Sequence, residues 1–280
     1  MTTVLETLDK GTAYLTKKGI EDARRNMQML VAHQLCCTRM DLYLRFDQAL
    51  EEKDLAPLRE MLKKRGEGVP VQHLVGSVFF HKREFKSDGR GLIPRPETEE
   101  LAEWVLKNAT LPQASAILDM GCGSGVLGLT LAAEKPAAQV VLADLSPDAL
   151  ALSAENAKTL EIANVEFVAS DLFSGLGDRS FDLIVANLPY VPEADRNSLA
   201  KELAYDPDLA LFGGPDGMDL IRRFVPEAAN RLLPGGWLAL EIGIDQAAET
   251  ESLLRAAGLT DIRTIKDLSG IARFPVARRA

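Results

Sequence analysis

Two short runs hold most of the chemistry that residue types and spacing can propose. The first, Asp119-Met120-Gly121-Cys122-Gly123-Ser124-Gly125, ends an apolar strand-like run and leads straight into a helical pattern over 126–133. Glycines at such a turn let the chain reverse sharply and let a ligand approach the main chain without a Cβ in the way, with helix N-terminal amides beyond. About twenty residues on, Asp144 ends a second apolar run, where a carboxylate can accept both hydroxyls of an adenosine ribose. A dinucleotide site carries the same two signals, so glycine spacing and charge must separate them. The loop reads G-x-G-x-G after an acid, not G-x-G-x-x-G. Asp119 repels a pyrophosphate and attracts the ammonium and sulfonium of S-adenosylmethionine, which makes the methyl donor the better ligand. Asp119, Gly121, Cys122, Gly123, Ser124, Gly125 and Asp144 are therefore the expected cofactor-binding residues. Cys122 reads as a small filler rather than a nucleophile, since no basic partner is evident near it.

The second run is Asn187-Leu188-Pro189-Tyr190, which breaks the apolar stretch Phe181-Asp182-Leu183-Ile184-Val185-Ala186 at the strand edge where open α/β sheets place their ligands. A strand end alone explains a polar residue and a proline. A planar nitrogen acceptor, amide or exocyclic amine, asks for more, because its lone pair is delocalised and it must be oriented toward the methyl group. The Asn187 side-chain oxygen and the Leu188 carbonyl can each accept one of its N–H hydrogens. Pro189 biases Leu188 toward extended geometry, and Tyr190 can lay its ring beside the substrate plane or the sulfonium. Asn187, Pro189 and Tyr190 are the expected catalytic residues, and Asn187, Leu188, Pro189 and Tyr190 the expected substrate grip. Asn187 is placed to meet the cofactor as well. No general base is required, because the acceptor can lose its proton after transfer.

Composition removes other classes. The chain has 280 residues, 46% hydrophobic and 26% charged, an ordinary globular balance that fits one large domain or, the preferred account, two modest ones. A net charge of −9 opposes a polyanion as the main partner, so no direct nucleic-acid contact is expected. The basic triplet Lys63-Lys64-Arg65 reads as a solvated helix end before Gly66. Cys36, Cys37 and Cys122 are too few and too oddly placed for a disulfide framework or metal site, which fits a reducing cytoplasm. His33, His73 and His81 are scattered, so neither a metal centre nor a Ser-His-Asp hydrolase finds support. The start MTTVLETLDKGTAYL lacks the pattern of a signal peptide, and no stretch approaches about 18 consecutive apolar residues. A cytoplasmic, non-membrane monomer without a metal is the expectation.

These runs need elements to hold them. Helical spacing of Ile20, Ala23, Met27, Leu30, Val31 and Gln34, and later of Leu55, Leu58, Met61 and Leu62, predicts a small N-terminal helical bundle over 1–68, with Thr3 and Glu6 as a capping box. Residues 69–96 read as a β-like connector, PVQHLVGSVFF then HKREF, closed by Leu92-Ile93-Pro94-Arg95-Pro96. Pro96 with Glu97, Glu99 and Glu100 after it is a good helix start. Over 97–280 apolar runs at 117–120, 140–144, 165–168, 181–186 and 237–242 alternate with helical segments such as 147–160. That texture predicts a doubly wound, mostly parallel α/β sheet covered on both faces. Residues 262–265 and 274–276 are candidates for an antiparallel closing pair.

The joint pattern resembles the protein-glutamine methyltransferases of the HemK or PrmC type, which modify peptide chain release factors. The likeness runs through Pro70-Val71-Gln72-His73-Leu74-Val75-Gly76, Leu92-Ile93-Pro94-Arg95-Pro96-Glu97-Thr98-Glu99, the 119–125 loop and the Asn187 motif. It implies a class I S-adenosylmethionine-dependent methyltransferase with a seven-stranded sheet and a helical domain that docks the protein substrate. It further implies methylation of the side-chain amide of the glutamine in a Gly-Gly-Gln loop, with S-adenosylhomocysteine as by-product. Cofactor contacts carried over are the Gly121 to Gly125 loop, Asp144, Leu172 after Asp171, and Asn187. Two positions depart from the family: Leu188 stands where Pro is usual, and Leu172 where some members carry Trp. Leu188 keeps the carbonyl acceptor, and Leu172 replaces an aromatic stack with plain apolar contact. Arg95 and Glu97 stay outside the catalytic set, a purely structural connector explaining them equally well. An adenine-amine methyltransferase on nucleic acid, a non-catalytic cofactor-binding scaffold and, last, a dehydrogenase are the rival accounts.

Overall fold

Thr3 ends the two-residue strand β1 (Thr2–Thr3) and caps α1 (Val4–Lys17), its Oγ1 accepting the Glu6 amide at 3.2 Å. This computed structural model describes residues 2–280. Removing that acceptor with Thr3→Ala is expected to cost about 1 kcal/mol of stability, measurable by urea titration. Then come α2 (Ala23–Gln34), β2 (Ala49–Leu50) paired with β1, α3 (Glu52–Gly66) and α4 (Val71–Val75). Their apolar stripes meet in one core of Leu8, Leu15, Met27, Leu30, Val31 and Leu58, with Leu55, Met61 and Leu62 packed at its edge. The described residues up to Ser77, together with Ala200–Tyr205, form this compact unit.

Two local expectations are corrected here. Lys63 and Lys64 are solvated, but Arg65 is 1% exposed. It follows Leu58 and Leu62 at helical spacing, so the buried face of α3 continues onto it. Its guanidinium bonds Asn26 Oδ1 at 2.7 Å and the Val69 carbonyl at 3.2 Å, and pairs with Glu202. The segment after Val69 is also not β-like from its start, since Val71–Val75 is helical. Its valines resemble strand residues, yet Pro70 leads into the turn and Gly76, at φ 75°, ends it in the left-handed region.

Next in the chain, β3 (Ser77–Phe80) and β4 (Arg83–Lys86) form a hairpin whose two turn residues, His81 and Lys82, both have positive φ, the twist that suits a two-residue loop. Pro96 opens α5 (Pro96–Asn108), with Glu97 and Glu99 in its first turn as expected. The alternation that follows is β5 (Ala116–Met120), α6 (Val126–Glu134), β6 (Gln139–Asp144), α7 (Pro147–Thr159), β7 (Val165–Ala169) and β8 (Phe181–Asn187). After α8 (Asp208–Leu211) and α9 (Asp219–Arg231) come β9 (Leu232–Glu241), α10 (Ala247–Ala256), β10 (Thr260–Lys266) and β11 (Ala272–Arg278).

Among the described residues seven strands make one sheet in the order β10-β11-β9-β8-β5-β6-β7, with β11 antiparallel to both neighbours. The closing antiparallel pair is therefore present. Side chains alternate between the two faces. Leu118, Met120, Ile184 and Leu240 pack with Ile221, Phe224 and Leu254 on one side, while Ile117, Leu183, Val185 and Ala239 pack with Leu101, Val105 and Leu127 on the other. Strand order reverses between β5 and β8, which pair in parallel with Met120 opposite Ala186. Both key runs leave the sheet at that switch point, where a crevice must open beyond the strand ends.

Candidate active site

One cavity beyond these strand ends is lined by Asp119, Gly121, Cys122, Gly123 and Ser124, by Asp144, by Leu172, and by Asn187, Leu188 and Pro189. The structure thus brings together most of the residues singled out by spacing. Gly125 and Tyr190 stand behind the lining. Gly125 has φ 83°, and a Cβ there would collide with Ser153 Oγ, so its glycine serves the tight entry into α6.

The loop is strapped to β6. Gly121 and Cys122 donate their amides to the Ala143 carbonyl at 2.8 and 3.1 Å, and Gly123 donates to Asp144 Oδ2 at 2.9 Å. Asp144 Oδ1 accepts the Ser146 amide at 2.8 Å, and burial lifts its carboxyl above the ordinary range. Asp119 is 1% exposed and accepts the Gly128 amide at 2.7 Å. Desolvation pushes its carboxyl up to about 7, with the Asp144 charge adding to the rise. Burial also drives the Cys122 thiol upward, which suits a filler and disfavours a thiolate nucleophile. Leu172 reaches the cavity from a left-handed backbone at φ 48°, a strained conformation for a leucine, and its carbonyl accepts the Ser170 hydroxyl. At the rim Arg223 pairs with Asp171 at 3.1 Å.

The tetrapeptide is held from behind. Asn187 ends β8 opposite Glu241, the last residue of β9. The Asn187 amide donates from Nδ2 to Thr98 Oγ1 at 3.1 Å, and the Thr98 hydroxyl donates to Glu241 Oε2 at 2.7 Å. Tyr190 donates its hydroxyl to Glu241 Oε1 at 3.2 Å, while its carbonyl accepts Gln246 Nε2 at 3.0 Å. Gly217, at φ 79°, lets the Tyr190 carbonyl approach where a Cβ would collide. Leu188, at the unusual position, lays its side chain against Gly121. Burial raises both the Glu241 carboxyl and the Tyr190 hydroxyl. Tyr190→Phe leaves Glu241 Oε1 short of a donor, and is expected to cost about 1–2 kcal/mol in thermal denaturation.

Sequence reasoning missed Thr98 and Glu241. Thr98 was visible only as part of a connector motif. Glu241 had a usable signal: like Asp144 and Asn187, it is a polar residue that closes an apolar strand at the ligand edge of the sheet. Arg95 bonds Asp206 at 2.7 Å and the Ile93 amide donates to the same carboxylate at 3.1 Å. That clasp fixes the connector beside Pro207 and Leu209, both of which line the cavity, whereas Arg95 and Glu97 do not.

The model described as the PrmC N-terminal domain matches residues 6–76, and the methyltransferase small domain matches residues 98–214. The release factor glutamine methyltransferase of Geobacter sulfurreducens is 40% identical over 272 residues, covering 97% of this chain and 95% of its own. That of Deinococcus radiodurans is 40% identical over 274 residues, 98% of this chain and 97% of its own. Among solved structures, a methyltransferase from Pyrococcus furiosus superposes with a TM-score of 0.52 at 18% identity, over 70% of this chain and 88% of that one. A SAM-dependent O-methyltransferase from Thermotoga maritima gives 0.51 at 14% identity, over 68% of each chain. At such identities the likeness concerns the class I methyltransferase fold.

Proposed function

The chain belongs to the release factor glutamine methyltransferase family, and from that premise we propose that it methylates the side-chain amide nitrogen of the Gly-Gly-Gln glutamine of peptide chain release factors, using S-adenosylmethionine. The observation that carries this is the orientation of Asn187. Its amide nitrogen is turned onto Thr98, which leaves Oδ1 as the acceptor for a substrate N–H. The cavity also suits the cofactor. Asp119, a buried carboxylate raised to about 7 beside a second raised carboxylate, is stabilised by any cation brought against it. Gly123, at φ 55°, has open space where a Cβ would stand, so the backbone can be approached closely.

S-adenosylmethionine supplies an electrophilic methyl group on a sulfonium. In the proposed complex Asp144 accepts the ribose hydroxyls, Leu172 flanks the adenine, and Asp119 with the 121–125 loop holds the cationic amino-acid end. Asn187 Oδ1 and the Leu188 carbonyl hold the two N–H bonds of the glutamine amide, so that its nitrogen faces the methyl group. Pro189 and Tyr190 keep that turn rigid, Tyr190 through Glu241 and Gln246. Fixing the amide restores to a poor nucleophile what it lacks in orientation, and no basic side chain or metal is invoked. The helical unit is proposed to dock the release factor. The acidic net charge supports a protein rather than a nucleic acid as substrate. A cytoplasmic monomer completes the proposal, and no helix among the described residues is long and apolar enough to cross a membrane.

The test is methyl transfer from labelled S-adenosylmethionine to purified release factor beside an adenine-containing duplex, followed by peptide mass mapping. Label on the Gly-Gly-Gln glutamine is the expected result. Label confined to DNA, or none on either with tight cofactor binding, overturns the assignment in favour of an adenine methyltransferase or a scaffold.

A further inference from the structure

A carboxamide has two ends of nearly equal size, and only one of them serves here. Rotation of the Asn187 side chain by half a turn would aim an N–H donor at the substrate's own N–H and destroy the grip. The choice between the two states is made by Thr98 and Glu241. Glu241 is 2% exposed and Thr98 4%, and their oxygens lie 2.7 Å apart. Glu241 Oε2 accepts the Thr98 hydroxyl, which directs that hydroxyl's one hydrogen away from Asn187. The Thr98 oxygen then presents lone pairs to Asn187, which must answer with Nδ2. The second Glu241 oxygen takes the Tyr190 hydroxyl. One buried carboxylate therefore sets donor direction at both ends of the tetrapeptide.

We propose that Glu241 and Thr98 are positioning residues for methyl transfer: a relay from β9 through α5 that locks Asn187 with Oδ1 toward the acceptor nitrogen. The proposal rests on the function proposed above. A buried carboxylate whose hydrogen-bond partners are two hydroxyls is a costly device that apolar residues of similar volume often replace without loss of stability. Its place behind the tetrapeptide, with a hydroxyl on each oxygen, points to a role in orientation.

Thr98→Val keeps the shape and removes both hydrogen bonds. The locked state then buries an unsatisfied N–H, and kcat for release-factor methylation is expected to fall about tenfold, with KM and S-adenosylhomocysteine affinity little changed. Thr98→Ser should restore kcat to within about threefold of wild type, since it restores donor and acceptor. Glu241→Gln, which keeps one acceptor, should fall between the two. In parallel, the Asn187 side-chain NH2 resonances, assigned by their loss in Asn187→Ala, should be protected from hydrogen exchange in wild type and Thr98→Ser, and unprotected in Thr98→Val. A Thr98→Val enzyme with wild-type kcat, a Ser variant as poor as the Val variant, or unchanged exchange in Thr98→Val overturns the relay. Wild type that leaves the Gly-Gly-Gln glutamine unmethylated overturns the assigned function instead, and the exchange experiment then still decides the relay.

Discussion

Asn187→Ala is expected to lower kcat for glutamine methylation by about 10²–10³-fold, the largest loss from any single side chain in the site. The side chain is asked for one thing, an oxygen at the end of β8 that accepts a substrate N–H. Alanine removes that oxygen and frees the acceptor amide to rotate away from the methyl group. The backbone around it is fixed independently. Asn187 pairs in register with Glu241, Val191 donates to the Leu211 carbonyl at 2.9 Å, and Gly213 donates to the Val191 carbonyl at 3.0 Å. The turn should therefore survive, and S-adenosylhomocysteine affinity should fall by less than about tenfold. Single-turnover rates with release factor in excess, set beside calorimetric cofactor affinities, separate the two effects. Loss in affinity as large as the loss in rate would make Asn187 a cofactor ligand with no part in orienting the amide.

What the sequence disclosed about this site follows a physical divide. Asp144 and Asn187 were legible because a polar residue that ends a long apolar run has few reasons to be there other than the ligand edge of a parallel sheet. Asp119 was legible because it precedes glycines that only a tight strand-to-helix turn requires. Glu241 meets the same criterion as Asn187 but sits in a run that continues apolar through Ile242, so it passed as part of the strand. Thr98 was not legible at all, for its meaning lies in a partner 143 residues away. The two local errors share a cause. Arg65 and the Val71–Val75 segment were judged by residue type, whereas burial on the α3 face and the Pro70 and Gly76 boundaries decided their structure. Short-range chemistry is written in neighbouring residues; the orientation of a side chain is written in whatever packs behind it.

The pH dependence of cofactor binding follows from Asp119. Its carboxyl is raised to about 7 in the unliganded protein chiefly by desolvation, and a cation brought near favours the ionised form. The pKa in the complex therefore lies below that in the free protein. Affinity for S-adenosylmethionine is full above pH 7 and is lost as pH falls through it, close to tenfold between pH 7.5 and pH 6. Asp119→Asn keeps an oxygen for the Gly128 amide and removes the charge. A charge about 5 Å from a cation, at an effective dielectric near 20, contributes about 3 kcal/mol, so this variant should bind about a hundredfold more weakly at pH 7.5. At pH 6 the gap should shrink to about tenfold, because the wild-type carboxyl is then mostly neutral. Stability of the unliganded protein moves the opposite way. A carboxyl whose folded pKa is raised from 3.8 to about 7 favours folding when protonated, and that advantage, about 4 kcal/mol in full, is lost as pH rises between those values. Relative to Asp119→Asn, the wild-type Tm should thus decline from pH 5 to pH 8 in the absence of cofactor. Calorimetric titrations at pH 6 and 7.5 with both proteins decide the matter: an affinity ratio that does not change with pH would mean that no cation faces Asp119.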